Sequence, residues 1–420
     1  MTKLALISLL FCGLLSAQAA KQPNIVLIMV DDMSWSDIGC YGSEIETPNI
    51  DSLAKEGLLW TNFYNNGKCA TTRASLSTGL YPRNGGKGSE LLNEKMLTLG
   101  EALRPHGYAT GLSGKWHNGS QAPNRPFDRG FDKSYGLWDG CCNFFDPSIR
   151  DPKFKGNRAR FYGEDDRKIE GNQSWETSKN EDLEWELLRM TYAAMVDSVD
   201  QNIGRLMATL KELEVDKNDK NTLVIFLSDN GACAETPGGD NTQYRPGPKE
   251  WYSHVGPNWA WAQNSPWRYY KSHAHEGGIA SPCVMRWPNK IPQGKKTHQV
   301  GHIIDFLPTF LAMAGGTYPS ESEQGANLIP AEGIDLTLLL SELDKVSSRP
   351  SPLFWQWAGH GAVRDGKWKL VRFKKTNIWE LYDLSKNRTE TSDLAKDHPE
   401  RVEQMAKAWK AWAKLTGVEK

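Results

Sequence analysis

Two pairs of oxygen-bearing side chains follow short apolar runs of the sequence. Asp31 and Asp32 come directly after the run NIVLIMV. Asp229 and Asn230 come directly after the run TLVIFLS. Runs this short and rich in β-branched residues are typical of buried parallel strands. Because ligands bind outside the carboxyl ends of the strands in open α/β sheets, we expect the four side chains to lie close together.

These four side chains would supply three carboxylates and one amide carbonyl. Such hard oxygen ligands suit Ca²⁺, with Mg²⁺ as the alternative, better than zinc. A single pair has another interpretation, which is a capping role in the turn after its strand. Two pairs favour a metal site, because clustered carboxylates without a cation would repel one another and raise their pKa values.

A third segment, CATTRASLSTG, begins at Cys69. In an oxidising compartment a cysteine is more often half of a disulfide than a nucleophile. Here its neighbours are small and polar, and Arg73 follows four residues later. A helix starting near Thr72 would direct its N-terminal amides and Arg73 at an anion beside Cys69. The segment therefore predicts an anion site.

The elements that must position these residues alternate between strands and helices. Thr47-Pro48 is an N-cap followed by a first-turn proline, and apolar residues with a 3.6-residue period predict a long helix before the second acidic pair. This alternation indicates an α/β fold, with a large mostly parallel sheet sandwiched by helices. The predicted strands are residues 24–30, 108–112 and 222–228, and the predicted helices are residues 47–56, 98–104 and 181–212.

The sequence changes character near residue 351, where short apolar segments are separated by turns such as Asp365-Gly366. A last amphipathic segment, residues 399–414, predicts a helix. We expect a small C-terminal antiparallel sheet plus helix over residues 351–420, after a main α/β domain over residues 20–350. The polar stretch between residues 145 and 181 predicts a surface loop. The strands predicted in the C-terminal part are residues 353–357, 362–364, 368–373 and 378–382.

The N-terminus has the features of a secretory signal peptide. Lys3 precedes an apolar run over residues 4–15, and Ala17-Gln18-Ala19 matches a cleavage pattern. We therefore expect residues 1–19 to be removed and the protein to be secreted or periplasmic; the alternative is a buried N-terminal helix. Cleavage would leave six of the 7 cysteines, whose pairing the sequence does not determine. After this segment no apolar run approaches the roughly 20 residues of a membrane span.

The composition excludes several classes of protein. The chain has 420 residues, with 50 Lys+Arg against 51 Asp+Glu and a formal net charge of −1. A nucleic-acid binder usually has a clustered basic surface, so we expect no nucleic-acid partner. Hydrophobic residues make up 39% of the chain, which is too many for a disordered or collagen-like protein.

The segment that begins at Cys69 resembles the sulfatase signature C-x-P-S/T-R-x-x-x-x-T-G, in which the cysteine is oxidised after translation to formylglycine (3-oxoalanine). Further resemblance covers nearly the whole chain in the family's order. On these motifs the chain is identified as a member of the formylglycine-dependent (type I) sulfatase family, arylsulfatase-like, in the alkaline phosphatase superfamily. The other matching segments are VDDMSWSDIGCYG, SGKWHNG, RGFDKSYG, LSDNGACAE, YKSHAHEGGIASP, VRDGKWKLV and WELYDL.

The resemblance implies a metal and a nucleophile. Asp31, Asp32, Asp229 and Asn230 would bind a divalent cation, most often Ca²⁺ in this family. Residue 69, as hydrated formylglycine, would contribute a ligand oxygen to the metal and the attacking hydroxyl. A formylglycine-generating maturation enzyme is therefore an implied partner.

The resemblance also implies roles for cationic residues. Arg73 would hold and polarise the hydrate, and Lys115 and Lys271 would bind the sulfate oxygens. His117 would contact the second hydroxyl and help expel sulfate. A metal and two ammonium groups would neutralise the charge that a sulfate ester carries.

The chain departs from the family pattern at two places. Position 71 is Thr where the family usually has Pro, within the motif that the maturation enzyme reads. The family also has a histidine, expected before Tyr192, that protonates the leaving alcohol. Between Phe145 and Tyr192 there is no histidine. Either His273 takes that role or the leaving group is weakly protonated.

Three functions are compatible with these residues. The leading hypothesis is a secreted sulfatase acting on O-sulfate esters, chiefly of sulfated carbohydrates. The first alternative is a phosphoester or phosphonate-ester hydrolase of the same superfamily, and the second is a non-catalytic protein that binds sulfated glycans. A Trp-rich segment could stack on sugar or aryl rings or pack in the core, and two histidines there are further candidates for the pocket. These residues are Trp251, Trp259, Trp261, Trp267, His254 and His275.

Overall fold

The computed structural model describes residues 22–83, 92–141, 161–162, 184–213, 221–235, 254–343 and 349–418, without the side chains of residues 161–162 and 184–189. The predicted signal peptide, Trp251 and nearly all of the polar stretch between residues 145 and 181 lie outside the described residues. Within those ranges, no helix has both the length and the apolar character that crossing a membrane requires.

Strands and helices alternate in the first part of the chain, and strands dominate near its end. The strands are β1 (Asn24–Val30), β2 (Leu58–Tyr64), β3 (Gly111–Ser113), β4 (Lys133–Leu137), β5 (Phe161–Tyr162), β6 (Thr222–Ser228), β7 (Ala280–Arg286), β8 (Lys295–Thr297), β9 (Gly301–His302), β10 (Leu353–Trp357), β11 (His360–Asp365), β12 (Trp368–Arg372) and β13 (Trp379–Asp383). The helices are α1 (Pro48–Lys55), α2 (Cys69–Thr78), α3 (Leu99–Leu103), α4 (Glu184–Glu212), α5 (Gly256–Gln263), α6 (Glu276–Ile279), α7 (Phe306–Met313), α8 (Thr337–Ser341) and α9 (Pro399–Leu415).

The main sheet has the strand order β1-β6-β7-β2-β8, and β9 also pairs with β2. β1 is parallel to β6, and β8 and β9 are parallel to β2. β7 is antiparallel to both of its neighbours, β6 and β2. All strands of this sheet except β7 therefore run in one direction, which confirms the predicted mostly parallel sheet.

The apolar run of β6 is buried on both faces of the main sheet. Val224 and Phe226 lie in a core cluster with Ile50 and Leu53 of α1 and with Ile203 of α4. The alternate residues Leu223, Ile225 and Leu227 lie in the larger cluster on the opposite face, which includes Phe306 and Phe310 of α7. Side chains alternate between the faces of a strand, so helices on both sides explain the uninterrupted apolar sequence.

The C-terminal part forms a separate four-stranded sheet, β10-β11-β12-β13, in which every pairing is antiparallel. α9 packs against it: Trp409 Nε1 donates to the carbonyl oxygen of Trp355, 2.9 Å away. Trp355 Nε1 in turn donates to the carbonyl oxygen of Asn65, at 2.7 Å, beyond the end of β2. The predicted small sheet with one helix is confirmed, and its core is continuous with that of the main sheet. The domain boundary near residue 350 stays a prediction.

The strand expected over residues 108–112 is wrong in its first half, because β3 begins only at Gly111. Gly107 has a left-handed backbone, with φ 83°, that ends the preceding turn. Tyr108 then donates its hydroxyl to the carbonyl oxygen of Pro23 at 3.0 Å. Thr110 is bound through its backbone N–H to Asp132 at 2.8 Å. The backbone N–H of Thr110 therefore binds a side chain where a strand would make a ladder bond.

We expect acid to destabilise the fold partly through His302. This ring is fully buried, and burial together with the charge of Arg349 holds its pKa well below the usual range. As the pH falls below about 6.5 the unfolded chain binds a proton that native His302 does not, so stability is lost. His302→Asn should therefore reduce the fall in Tm between about pH 7 and about pH 5. The exposed His398→Asn variant is the control, and an identical fall in all three proteins would contradict the prediction.

Candidate active site

The four predicted metal ligands meet at one edge of the main sheet. β1 and β6 pair in register from Asn24 opposite Thr222 to Val30 opposite Ser228. The residues that follow the two strands therefore emerge side by side. Oxygen atoms of Asp31, Asp32 and Asp229 lie within 4.8 Å of one another.

Asp229 is the buried centre of this acidic group. Its Oδ1 accepts the backbone N–H of Asp32 at 3.1 Å, and its Oδ2 accepts Arg73 Nε at 3.0 Å and Nη2 at 2.8 Å. Asp32 itself has a left-handed backbone, φ 60°, which is uncommon for a residue other than glycine. Burial, reinforced by the charge of Asp31, raises the pKa of Asp229 to about 7. Ionised Asp229 thus needs positive charge nearby.

Asn230 completes an oxygen set that fits a hard divalent cation. Its Nδ2 donates to Asp32 Oδ1 at 2.6 Å, whereas its buried Oδ1 has no hydrogen-bond partner among the described residues. An unpartnered buried acceptor beside three carboxylates is the kind of donor set that Ca²⁺ or Mg²⁺ takes. Asp31, Asp32, Asp229 and Asn230 could therefore hold such an ion.

Two lysines face this acidic group. Lys115 Nζ lies 2.9 and 2.8 Å from the two carboxylate oxygens of Asp31. Lys271 Nζ lies 2.7 and 2.8 Å from those of Asp32. Burial alone would raise the pKa of Asp31, but the charges of Lys115 and Arg73 outweigh it and hold that pKa well below the usual range. Burial alone would lower the pKa of Lys271, but the negative charge of Asp32 outweighs burial and raises that pKa. Lys271 therefore stays protonated.

Cys69 is the first residue of α2, so the predicted helix start near Thr72 is wrong. The helix begins earlier because the carbonyl oxygen of Lys68 accepts the N–H of Thr72 at 2.9 Å, which closes the first turn. The hydroxyl of Thr71, which stands where the family usually has proline, donates to the same carbonyl at 2.8 Å. Arg73 lies one turn along α2 and is buried with Cys69. The helix thus places both residues at the acidic group.

The thiol of Cys69 is kept neutral by its surroundings. Burial raises the pKa of this thiol, although the charges of Lys115 and Lys271 act in the opposite direction. A neutral thiol is a weak nucleophile. Unmodified Cys69 is therefore poorly suited to attack an ester.

His117 lies in the segment between β3 and β4 that also carries Lys115. Backbone N–H groups of Trp116 and His117 donate to the carbonyl oxygens of Leu137 and Trp138 at 2.7 and 3.0 Å, which fixes this loop. Burial, with the charges of Lys115 and Arg73, lowers the pKa of His117 to about 3. The imidazole is therefore neutral near pH 7, and its buried Nδ1 has no partner in the described part of the chain.

His273 is held differently from these residues. Its ring stacks on Tyr269, with centroids 4.6 Å apart, and on Phe373, with centroids 5.9 Å apart. Its Nδ1 is 3.1 Å from the carbonyl oxygen of Tyr270, and burial lowers its pKa to about 4. Among the described residues, His273 makes no hydrogen bond to the acidic group. Its role as the acid stays a prediction.

The aromatic and histidine candidates near Lys271 divide into packed and exposed side chains. Trp267 packs edge-on against Trp35, with ring centroids 5.3 Å apart. His275 is fully buried and lies 3.4 Å from Glu380. Trp261 on α5 is 42% exposed and contacts Tyr269 edge-on at 4.9 Å. Trp261 is the most exposed of these three side chains and is available for stacking on a ligand.

Sequence reasoning missed three residues around Lys271. Its Nζ lies 3.5 Å from Cys233 Sγ and 3.8 Å from Glu235, and Glu235 also pairs with Lys68. Cys233 and Glu235 follow Asn230 within the segment LSDNGACAE, so their closeness in sequence to the acidic pair was an available signal. Lys68 precedes Cys69 and had the same kind of signal.

Fold and site together define a class of protein. An acidic group that fits a divalent cation lies at the edge of an α/β sheet, beside three cationic side chains and a buried cysteine. That combination is a site for an anionic ester.

Comparison with known proteins identifies the family to which the chain belongs. The family model described as Sulfatase matches residues 23–182 and 151–316, which together exceed half of the chain. N-acetylgalactosamine-6-sulfatase of Rattus norvegicus is 31% identical over 88% of this chain and 75% of its own length. Arylsulfatase of Klebsiella aerogenes is 26% identical over 80% of this chain and 96% of its own length.

A solved structure shares the fold. The crystal structure of Ps i-CgsB in complex with k-i-k-neocarrahexaose has a TM-score of 0.72, with 24% identity over 94% of this chain and 93% of that one. The match to the family model and the similarity to the two sulfatases show that the chain belongs to the sulfatase family, within the alkaline phosphatase superfamily, and is a sulfuric ester hydrolase.

Proposed function

We propose that this chain is a secreted sulfatase that hydrolyses O-sulfate esters of carbohydrates, using formylglycine formed from Cys69 and a bound Ca²⁺. The observation that carries the proposal is the convergence of Lys115, Lys271 and Arg73 on buried Cys69 at the acidic group. Lys115 and Lys271 would bind the non-bridging oxygens of a sulfate ester, and Arg73 would orient residue 69. Secretion rests on the N-terminal cleavage pattern, which the structure does not describe.

Two groups would complete the site. Asp31, Asp32, Asp229 and Asn230 would hold Ca²⁺, which when bound supplies charge stabilisation for the sulfate. Formylglycine at residue 69, made by a maturation enzyme, supplies a hydrated aldehyde as nucleophile. The neutral, buried thiol of the unmodified cysteine supports the need for this modification.

Arg73 orients residue 69. Its Nε and Nη2 are held by Asp229, and its Nη1 donates to the carbonyl oxygen of Lys115 at 2.8 Å. The guanidinium is therefore fixed in position before substrate binds, which lowers the reorganisation cost of the reaction. The hydrogen bond from Arg73 Nη1 to Lys115 also connects α2 to the segment that carries this lysine.

Lys115 and Lys271 bind the sulfate group. In the structure Lys115 pairs with Asp31 and Lys271 pairs with Asp32, so an anion that reaches both lysines would be shared by two ammonium groups. Glu235 and Cys233 keep Lys271 in place.

Neutral His117 assists as a proton acceptor near residue 69, since its imidazole carries an available lone pair at neutral pH. His273 is proposed as the acid toward the leaving alcohol. Because burial lowers its pKa to about 4, that role requires its ring to leave the stack with Tyr269 and Phe373 and to take up a proton.

Carbohydrate as the substrate class has two supports. One relative is named for a sulfated sugar, N-acetylgalactosamine 6-sulfate. In this chain Trp261 offers an exposed flat surface close to the Lys271 segment. Indole rings commonly stack on the apolar faces of sugars, so this tryptophan would bind the saccharide ring.

The test compares turnover of 4-nitrophenyl sulfate, 4-nitrophenyl phosphate and N-acetylgalactosamine 6-sulfate by protein produced with a maturation enzyme. We expect both sulfates to be hydrolysed at least about 10²-fold faster than the phosphate. Lys271→Met should lower kcat/KM for the sulfates by about 10²–10³-fold, because an oxyanion partner is lost. The exposed Lys290→Met variant is the control. Faster phosphate hydrolysis, or full activity of Lys271→Met, would refute the proposal.

A further inference from the structure

A cavity with a volume of about 730 Å³ lies between the main sheet and the C-terminal sheet. Thr61 and Asn62 of β2 and Gln299, between β8 and β9, line one side. Gly366, in the turn between β11 and β12, and Ser385, after β13, line the other side. No member of the acidic group, and none of the lysines and arginine around Cys69, lines this cavity. It is therefore separate from the candidate active site.

The wall of this cavity is strongly cationic. It includes Arg349, Arg364, Lys367 and Arg388, and no aspartate or glutamate is among its described lining residues. The chain as a whole has balanced charge, so a wall with four cations and no acid is a local excess. Three of these cations pair, at 2.6 to 2.8 Å, with carboxylates that do not line the cavity. The pairs are Arg349–Asp305, Lys367–Asp383 and Arg388–Glu276.

Arg364 has no carboxylate partner among the described residues. The residue is only 6% exposed. Its Nε donates to the carbonyl oxygen of Gly366 at 3.1 Å, and its Nη1 donates to the hydroxyl of Tyr64. Its Nη2 has no hydrogen bond within the described ranges. The charge of Arg364 acts on buried Glu276, which also pairs with Lys369 and Arg388, so three cations share this carboxylate. The remaining Nη2 donor of Arg364 therefore favours an anion beside it.

Arg388 adds a second guanidinium to the same wall. Its Nε binds Glu276 at 2.7 Å and its Nη1 donates to the carbonyl oxygen of Thr61 at 2.6 Å. Its Nη2 has no hydrogen-bond partner in the described part of the chain, and this atom is itself buried. Trp267 and Trp35 pack on this guanidinium, 4.3 and 5.0 Å from their ring centroids, and hold it rigidly.

We infer that this cavity is a second, non-catalytic binding site for a small acidic sugar, whose carboxylate or sulfate group pairs with Arg364 and lies near the charge of Arg388. Its volume exceeds what an inorganic ion needs and suits a sugar-sized ligand. The wall also offers Leu353 and Leu384 for the apolar face of a ring, and Asn62 for its hydroxyl groups. The inference does not depend on sulfatase activity.

The test is calorimetric titration of the full chain carrying Lys115→Met and Lys271→Met, which removes anion binding at the candidate active site. Glucuronate is the probe, and glucose is its uncharged counterpart. We expect saturable binding of glucuronate at one site and none of glucose. Arg364→Gln should weaken that binding at least about tenfold, because a charged hydrogen-bond partner is lost.

Two further variants make the result decisive. Arg83→Gln removes another largely buried arginine, paired with Glu332 outside the cavity, and should leave glucuronate affinity unchanged. Ser351→Trp fills the cavity from an exposed lining position without removing a charge, and should abolish binding. If Arg364→Gln does not fold, Ser351→Trp decides alone. Absence of saturable binding, or unchanged affinity in Ser351→Trp, would overturn the inference.

Discussion

Replacing Cys69 with alanine is expected to lower kcat for sulfate-ester hydrolysis by at least about 10⁴-fold, because removal of a nucleophile usually costs that much. The fold should survive. Cys69 is the first residue of α2, where alanine is well tolerated, and the side chain lost is small. The measurement is the initial rate on 4-nitrophenyl sulfate, with circular dichroism to show that the variant is folded.

The matched control is Cys40→Ala, which changes a half-buried cysteine away from the candidate site. Its rate should equal that of the parent. Mass spectrometry of the peptide that contains residue 69 should show the aldehyde in protein produced with a maturation enzyme and the thiol in protein produced without it. Turnover by protein whose residue 69 is entirely thiol would contradict the proposed nucleophile.

Asp229→Asn is expected to abolish both activity and the response of the protein to calcium. The substitution keeps the shape of the side chain but removes the charge that pairs with Arg73 at 2.8 Å. Loss of one partner of a buried ion pair costs about 3–5 kcal/mol of unfolding free energy. With a metal ligand also lost, kcat should fall at least about 10³-fold.

Thermal unfolding distinguishes the metal from general damage. A ligand that binds only the native state raises Tm, so calcium should stabilise the parent and a chelator should reverse the effect. Asp229→Asn should show no such shift. Asp200→Asn is the control, since buried Asp200 binds α1, where it accepts the N–H of Ile50 at 2.8 Å, and is not a member of the acidic group. It should be destabilised yet keep the calcium shift. An unchanged shift in Asp229→Asn would exclude Asp229 as a ligand.

Much of the main domain follows from local patterns in the sequence. The apolar runs that form β1 and β6 predict buried strands, and their parallel pairing then brings Asp31 and Asp229 to one edge. The small C-terminal sheet is equally evident from short strands and turns. The strand expected at residues 108–112 failed because contacts with Pro23 and Asp132, remote in sequence, determine that backbone.

The helix at Cys69 shows the limit of local reasoning at the site. Its motif predicts a helix with Arg73 near an anion, but the helix begins three residues before Thr72 because of hydrogen bonds to the carbonyl of Lys68. Which nitrogen of Arg73 meets which oxygen depends on Asp229, whose strand lies far along the chain. Only the assembled sheet brings these two side chains together.

The sequence by itself determined the kinds of chemical group present: oxygen ligands after two strands, a cysteine in a modification motif and cations in recognisable segments. Tertiary structure alone decided their partners. It placed Lys115 on Asp31 and Lys271 on Asp32, and it stacked His273 on Phe373 instead of against the acidic group. The reason is physical: strand and helix patterns depend on neighbours in the chain, whereas charge pairing and burial depend on segments that meet only when the sheets pack.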